Sequence, residues 1–383
     1  MNDAVLRPLS GLRVLDFTQN VAGPLAGQIC ADLGAEVIKV EPPRGEAARH
    51  IVSARPGDEG VAPYFVPNNR GKRSLLADLH TPEGVAAVLD LVESADVVLE
   101  GFRPGTMASW GLGPEDVHAR NPRCVYASVN GYGGRGPHGM RPGVDMLLQV
   151  DSGILTGLQD ADGAPMRVPV QFIDGASGHV LAQAVLAALL HRERHGIVTD
   201  VDVAMFDVAI NLQSNRATAL LNTMDGAERA VMPGFATSPS GIFRVADGYV
   251  AMSAYVPKHW QVLARVLDRP DLIVDPRFAT QADRARNDGE LLAELAALFA
   301  DRGCAELVAQ LQGAGLMANR VNTLADAIAT PVFAENELAV TTTDGVRSET
   351  TVRTPARYSA FTPAATSPTP VLGEYNRERH AVA

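Results

Sequence analysis

Residues 168–196 read VPVQFIDGASGHVLAQAVLAALLHRERHG, and one acid, Asp174, stands where a β-rich run turns into a long apolar helix. Two kinds of work suit an aspartate there. As a helix cap it would accept hydrogen bonds from the first free N–H groups, a contribution of about 1 kcal/mol. His191, Arg192 and Arg194, beside Gly196, would then balance the dipole at the far end. As a carboxylate nucleophile it would be bared by Gly175 and Gly178, which let a ligand reach the backbone, and kept ionised by the helix dipole. The local pattern allows both. Asp145, in RPGVDMLLQVDSG, precedes a second apolar run and is another candidate cap.

Other chemistries find little footing. The nine histidines show no HExxH or similar ligand spacing, which argues against a metal site. No GxSxG elbow is present. The first turn after a strand, FTQNVAGPLAG, has only Gly23 and Gly27 where a dinucleotide fingerprint needs three glycines, so bound NAD or FAD is not expected. Cationic residues do gather in loops: Arg44 after KVEPP, Arg70, Lys72 and Arg73 in NNRGKRS, and Arg103 in GFRPG. These loops lie just after predicted strand ends, at the sheet edge where open α/β folds bind ligands, and could hold a multiply phosphorylated molecule. Solvated surface charge is the plainer reading.

The elements that would position these residues alternate. LRVLDFT (12–18) and AEVIKVE (35–41) read as strands around a helix at 23–34, with Pro24 suiting a first helical position and Gly34 a helix end. TPEGVAAVLDLVESA (81–95) has helical periodicity, with an imperfect capping box at Thr81. DVVLEGF (96–102) and CVYASVNGYG (124–133) read as further strands. This alternation predicts a Rossmann-like, doubly wound parallel sheet in a large domain, residues 1–215. A smaller α+β domain follows at 225–325, with a hairpin over 241–254 turning at Asp247-Gly248 and helices at 257–267, 288–300 and 304–313. Residues 326–383 form a C-terminal segment containing the Pro/Thr/Ser connector 362–370.

The net charge of −11, without a basic stripe, disfavours nucleic acid. Three scattered cysteines without CxxC, and an opening MNDAVLRPLSGLRVLDF without a leader pattern, suit a reducing cytoplasm. The apolar stretch Val180–Leu190 is too short to span a bilayer, so no membrane association is expected.

The ordered set of segments resembles a known family, the class III CoA-transferases, also called the CaiB/BaiF family. GLRVLDFTQNVAGPLAGQICADLGAEVIKVEPPRGE is similar to its opening, and NNRGKRSLLADLHTPEG, ADVVLEGFRPG, NPRCVYASVNGYGGRGPHGMRPGVD, LLHRERHG, GIFRVADGYVAM, DPRFAT and VLGEYNRE follow in the family's order. The resemblance implies transfer of coenzyme A from an acyl-CoA to a free, possibly dicarboxylic, acid, with no permanently bound cofactor. It implies that Asp174 is the nucleophile, forming an aspartyl–acyl anhydride and then an aspartyl-CoA thioester, and that Asp145 helps order the site. It carries CoA binding onto Val21, Ala22, Arg44, Asn69, Lys72, Arg73, Gly101, Phe102 and Arg103. It further implies an interlocked homodimer, each ring closing as the C-terminal segment returns to the large domain. Val21 replaces the glutamine of the formate/oxalate branch, so that exchange is not expected. The related acyl-CoA racemases carry a histidine where this chain has Val144, so isomerase chemistry is the second reading. CoA binding without catalysis is the third.

Overall fold

A computed structural model of the chain describes residues 6–51, 62–156, 158–160, 162–222, 238–254, 256–363 and 367–382. The chain divides into two compact units, Met1–Ala217 with Glu337–Ala383, and Thr218–Asn336. The C-terminal segment therefore joins the first unit from 337 rather than from 326.

The first unit is built on six strands: β1 (Arg13–Asp16), β2 (Glu36–Glu41), β3 (Arg73–Leu76), β4 (Val97–Glu100), β5 (Val125–Asn130) and β6 (Val201–Ala204). All pair in parallel, in the order β3-β2-β1-β4-β5-β6. Alternate residues feed two cores. Val14, Val37, Leu99 and Val125 pack under one layer of helices, and Leu15, Ile38, Val98 and Tyr126 under the other. Burial on both faces explains why these strands read as β-branched runs. The order reverses between β1 and β4, so the loops leaving their carboxyl ends diverge and open a crevice.

Four helices matter for the site: α1 (Ala22–Asp32), α2 (Pro82–Val92), α3 (Asp145–Asp151) and α4 (Phe172–His195). Pro24 is the third residue of α1, two places later than its sequence signal suggested, and Gly34 follows the helix at φ +103°. Thr81 caps α2 by accepting the Gly84 N–H at 3.1 Å. A Cβ on Gly178 of α4 would stand 2.6 Å from the Ala22 carbonyl oxygen. Glycine there serves the close crossing of α4 over α1, and the expectation that it opens the helix to ligand is corrected. By length and composition alone the 24-residue α4, in which an 18-residue stretch has a mean hydropathy of 1.4, could cross a membrane, which the shorter stretch Val180–Leu190 did not suggest. Ile173, Leu181, Val185 and Ala188 instead bury it in the unit's core.

The C-terminal segment carries the antiparallel pair β10 (Ala339–Thr343) and β11 (Ser348–Val352). It is tied to β3 by the Asn376 side chain, which accepts from the Leu76 N–H at 2.8 Å and donates to its carbonyl at 3.0 Å. In the second unit β7 (Ser240–Val245), β8 (Gly248–Ser253) and β9 (Met317–Arg320) form an antiparallel sheet. The helices Pro257–Val266, Asp288–Phe299 and Cys304–Gly313 belong to the same unit, where Leu263, Leu295, Phe299 and Leu307 join its core. Val245 pairs with Gly248, so the hairpin turns on Ala246-Asp247, one residue earlier than expected.

Candidate active site

A cavity of about 500 Å³ opens at the reversal of strand order. Its walls are the loop after β1 (Thr18–Gly23), the loop after β4 (Gly101–Pro104), residues 141–146 with Gln149, and the segment 167–171 that leads into Asp174.

Asp174 is the third residue of α4, and the capping position is Gln171, whose side chain makes no capping bond. The cap comes from elsewhere in the chain. One carboxylate oxygen of Asp145 accepts the N–H groups of Ile173 at 2.8 Å and Asp174 at 3.1 Å. Its other oxygen accepts from Gln149 Nε2 at 2.5 Å, and Gln149 Oε1 accepts the Val168 N–H at 3.0 Å. Asp145 and Gln149, one turn apart on α3, thus fasten the approach to α4. With the cap supplied, the Asp174 carboxylate has no hydrogen-bond partner among the described residues and faces the cavity. Gly175 borders open space, since a Cβ there would meet nothing within 4 Å.

Two expectations are corrected. The N–H groups of Ile173 and Asp174 serve Asp145, and that of Gly175 donates to the Gln171 carbonyl at 3.0 Å, so these donors are already engaged. Nor is the carboxyl held low by the helix dipole. Burial pushes the Asp174 pKa up to about 7, and the Asp145 charge adds in the same direction.

Cations balance the acids. Arg103, Arg141 and Arg167 all line the cavity and are exposed. Arg141 also pairs with Asp151 at 2.6 Å and lies 4.5 Å above the Tyr132 ring. Arg103 has no side-chain partner among the described residues.

The structure brings Val21, Ala22, Gly101, Phe102, Arg103, Asp145 and Asp174 to this cavity. It does not bring Arg44, Asn69, Lys72 or Arg73 to its walls. Arg44 is exposed elsewhere, its carbonyl 3.1 Å from His50 Nε2. Lys72 is 1% exposed, and its ammonium contacts Asp16 Oδ2 at 2.7 Å, the Pro24 carbonyl at 2.8 Å and Asn69 Oδ1 at 2.9 Å. Burial lowers its pKa to about 8. Asn69 is buried with it and donates to the Phe65 carbonyl at 3.0 Å. Arg73 heads β3, paired with Glu36 at 2.8 Å and with Glu378, its guanidinium over the Tyr375 ring. The basic run NNRGKRS precedes a strand instead of following one, which is why its charges turn inward and sideways rather than toward the crevice.

Sequence reasoning missed Gln149, Arg141, Arg167 and the hydrogen bond from Gln171 to the Tyr64 hydroxyl at the cavity wall. Gln149 had a readable signal, four residues after Asp145 on one helical face. The arginines sit in segments with no periodicity.

The model of CoA-transferase family III matches residues 9–376. The chain belongs to this family. It is 52% identical over 380 residues to the probable fatty acyl-CoA transferase Rv3272 of Mycobacterium tuberculosis, covering 97% of this chain and 96% of that one. It is 34% identical to the succinyl-CoA–D-citramalate CoA-transferase of Chloroflexus aurantiacus, covering 97% and 93%. A crystal structure of Rv3272 superposes with a TM-score of 0.89, covering 97% of this chain and 98% of that one. A CaiB/BaiF family protein from Brucella suis, 34% identical, superposes at 0.84 over 98% and 99%. This member of family III is therefore an enzyme of the CoA-transferase type, with CoA thioesters as its substrates. The six-stranded parallel sheet accords with these neighbours. Among the described residues no group of three His, Cys, Asp or Glu side chains is placed to hold a metal.

Proposed function

We propose that the protein moves coenzyme A from an acyl-CoA donor to a free organic acid, with Asp174 as the nucleophile. The observation that carries this reading is the Asp174 carboxylate, freed from capping by Asp145 and turned into a cavity at the strand-order reversal. The ionised carboxylate attacks the donor thioester carbonyl. The C–S bond breaks, CoA leaves as thiolate, and an aspartyl–acyl anhydride remains. The thiolate then attacks the aspartyl carbonyl, releasing the donor acid and leaving an aspartyl-CoA thioester. The acceptor carboxylate attacks that thioester to form a second anhydride, and the thiolate attacks its acyl carbonyl. This gives the new acyl-CoA and restores Asp174. Every step exchanges one acyl bond for another, so neither metal nor redox group is required. The arginines at the cavity wall suit the acids that enter and leave.

Val144, the capping residue of α3, is exposed at the cavity wall. It offers no base to exchange an α-proton, which disfavours the racemase reading. We further propose an interlocked homodimer acting in the cytoplasm. The exposed apolar residues Leu147 and Val150 on α3, which lie outside the cavity wall, support burial by a second copy. The acceptor class is drawn from relatives named for fatty acyl, glutarate and mesaconate transfer. Assay of Asp174→Asn with succinyl-CoA or acetyl-CoA and a panel of acids tests the reading. Transfer is expected to fall to background while the protein remains folded, and near-normal turnover would reject Asp174 as nucleophile.

A further inference from the structure

The loop after β1 is gripped by a set of charges that lie outside the cavity. Asp16 Oδ1 accepts the Thr18 N–H at 3.0 Å and the Thr18 hydroxyl, while Asp16 Oδ2 holds Lys72. Lys39 Nζ donates to the Thr18 carbonyl at 2.8 Å. Glu46 closes the set. Its Oε1 faces Lys39 Nζ at 3.1 Å, and its Oε2 accepts the Asn20 N–H at 3.0 Å. Glu46 is itself fixed, its N–H donating to Glu41 Oε1 at 3.1 Å. Lys39 and Glu46 are almost wholly buried, at 0% and 2% exposure.

Asn20 has φ +67°, in the left-handed region that a side chain other than glycine adopts at a cost. Asn20 lies at the cavity wall between Gln19 and Val21. Asparagine tolerates that region better than most residues, and the bond from its N–H to the buried Glu46 carboxylate favours it further. Burying the Lys39–Glu46 pair costs desolvation, so the pair is weak evidence of stabilisation for its own sake. Its geometric result is a fixed loop in the wall of the cavity that Asp174 also lines.

We propose that Glu46 is a positioning residue for the acyl-CoA donor: it pins Asn20 in the left-handed conformation and so shapes the wall of the cavity that Asp174 also lines. This rests on the reading of the cavity as the acyl-CoA site. Glu46 touches no reacting atom and acts through the backbone of the loop.

The test is a double-mutant cycle on the full chain, with donor KM, kcat and thermal midpoint measured for each variant. Glu46→Ala removes a hydrogen bond to a charged group and is expected to raise donor KM about tenfold or more, with a smaller change in kcat. Glu46→Gln retains an acceptor for the Asn20 N–H, and is expected to recover most of the KM while lowering the thermal midpoint through the lost ion pair. Asn20→Gly removes the conformational penalty, so the KM loss caused by Glu46→Ala is expected to be several-fold smaller in that background. If Glu46→Ala fails to fold, Glu46→Gln with and without Asn20→Gly carries the comparison. Wild-type donor KM in folded Glu46→Ala, Glu46→Gln as impaired as Glu46→Ala, or an equal loss in both Asn20 backgrounds would overturn the proposal. Acyl-CoA transfer by the wild-type protein, lost in Asp174→Asn, is the internal control. If that control fails, the reading of the cavity fails; if it holds and the cycle is additive, only the role of Glu46 does.

Discussion

Asp174→Asn is expected to abolish transfer and yet to stabilise the folded protein at neutral and alkaline pH. The carboxyl rises from 3.8 to about 7 on folding, chiefly through burial and secondly through the Asp145 charge. Three units at about 1.36 kcal/mol each give an upper bound of ~4 kcal/mol for keeping the ionised form in the fold. The side chain is partly exposed, and screening reduces this to about 2 kcal/mol. The sign follows from linkage. A group whose folded pKa is raised binds its proton more tightly in the native state. It weighs nothing against the fold below the unfolded value of 3.8, costs progressively more as pH climbs, and costs most above about 7. Asparagine keeps the shape without the charge. The difference in urea midpoint between variant and wild type should therefore open between about pH 4 and about pH 7 and stay constant beyond. A difference independent of pH, or one that narrows as pH rises, would refute the reasoning that burial strains this carboxylate.

Other outcomes follow from neighbouring contacts. Asp145→Asn keeps one acceptor for the α4 N–H groups but removes the charge beside Asp174, so the acidic limb of the kcat/KM profile should move to lower pH; an unmoved limb would separate Asp145 from the titration. Lys72→Met should lower stability by about 3 kcal/mol, because Asp16 is left buried and unpaired. Arg103→Ala should leave the thermal midpoint within a degree or so and raise donor KM, and an unchanged KM at low salt would remove Arg103 from the binding site.

Much of the framework was legible in the residues, for stated reasons. LRVLDFT, AEVIKVE, DVVLEGF and CVYASVN became β1, β2, β4 and β5 because strands buried on both faces carry apolar residues at consecutive positions. RSLL and VDVA were missed as β3 and β6. Both lie at the sheet's edges and are less fully buried than the central strands, so no long apolar run marks them. The position of Asp174 at a helix start was readable, but its freedom to react was not. That freedom depends on Asp145, 29 residues earlier in the chain, taking the capping bonds. Lys72 misled for the same kind of reason. Its place beside Asp16 comes from a contact spanning 56 residues, and a basic run carries no mark of which charges face inward. The family resemblance supplied the chemistry; the fold supplied the order in which these side chains constrain one another.

The central claim is a covalent aspartyl intermediate, and trapping tests it most directly. The protein is incubated with acyl-CoA and hydroxylamine, and the peptide spanning Val168–His191 is examined by mass spectrometry. Hydroxylamine attacks the activated aspartyl carbonyl, releasing acid or CoA thiol and leaving a hydroxamate. The account predicts donor-dependent loss of activity with the hydroxamate on Asp174, and neither in Asp174→Asn. Sustained transfer without any adduct, or an adduct on another residue such as Asp145, would contradict it.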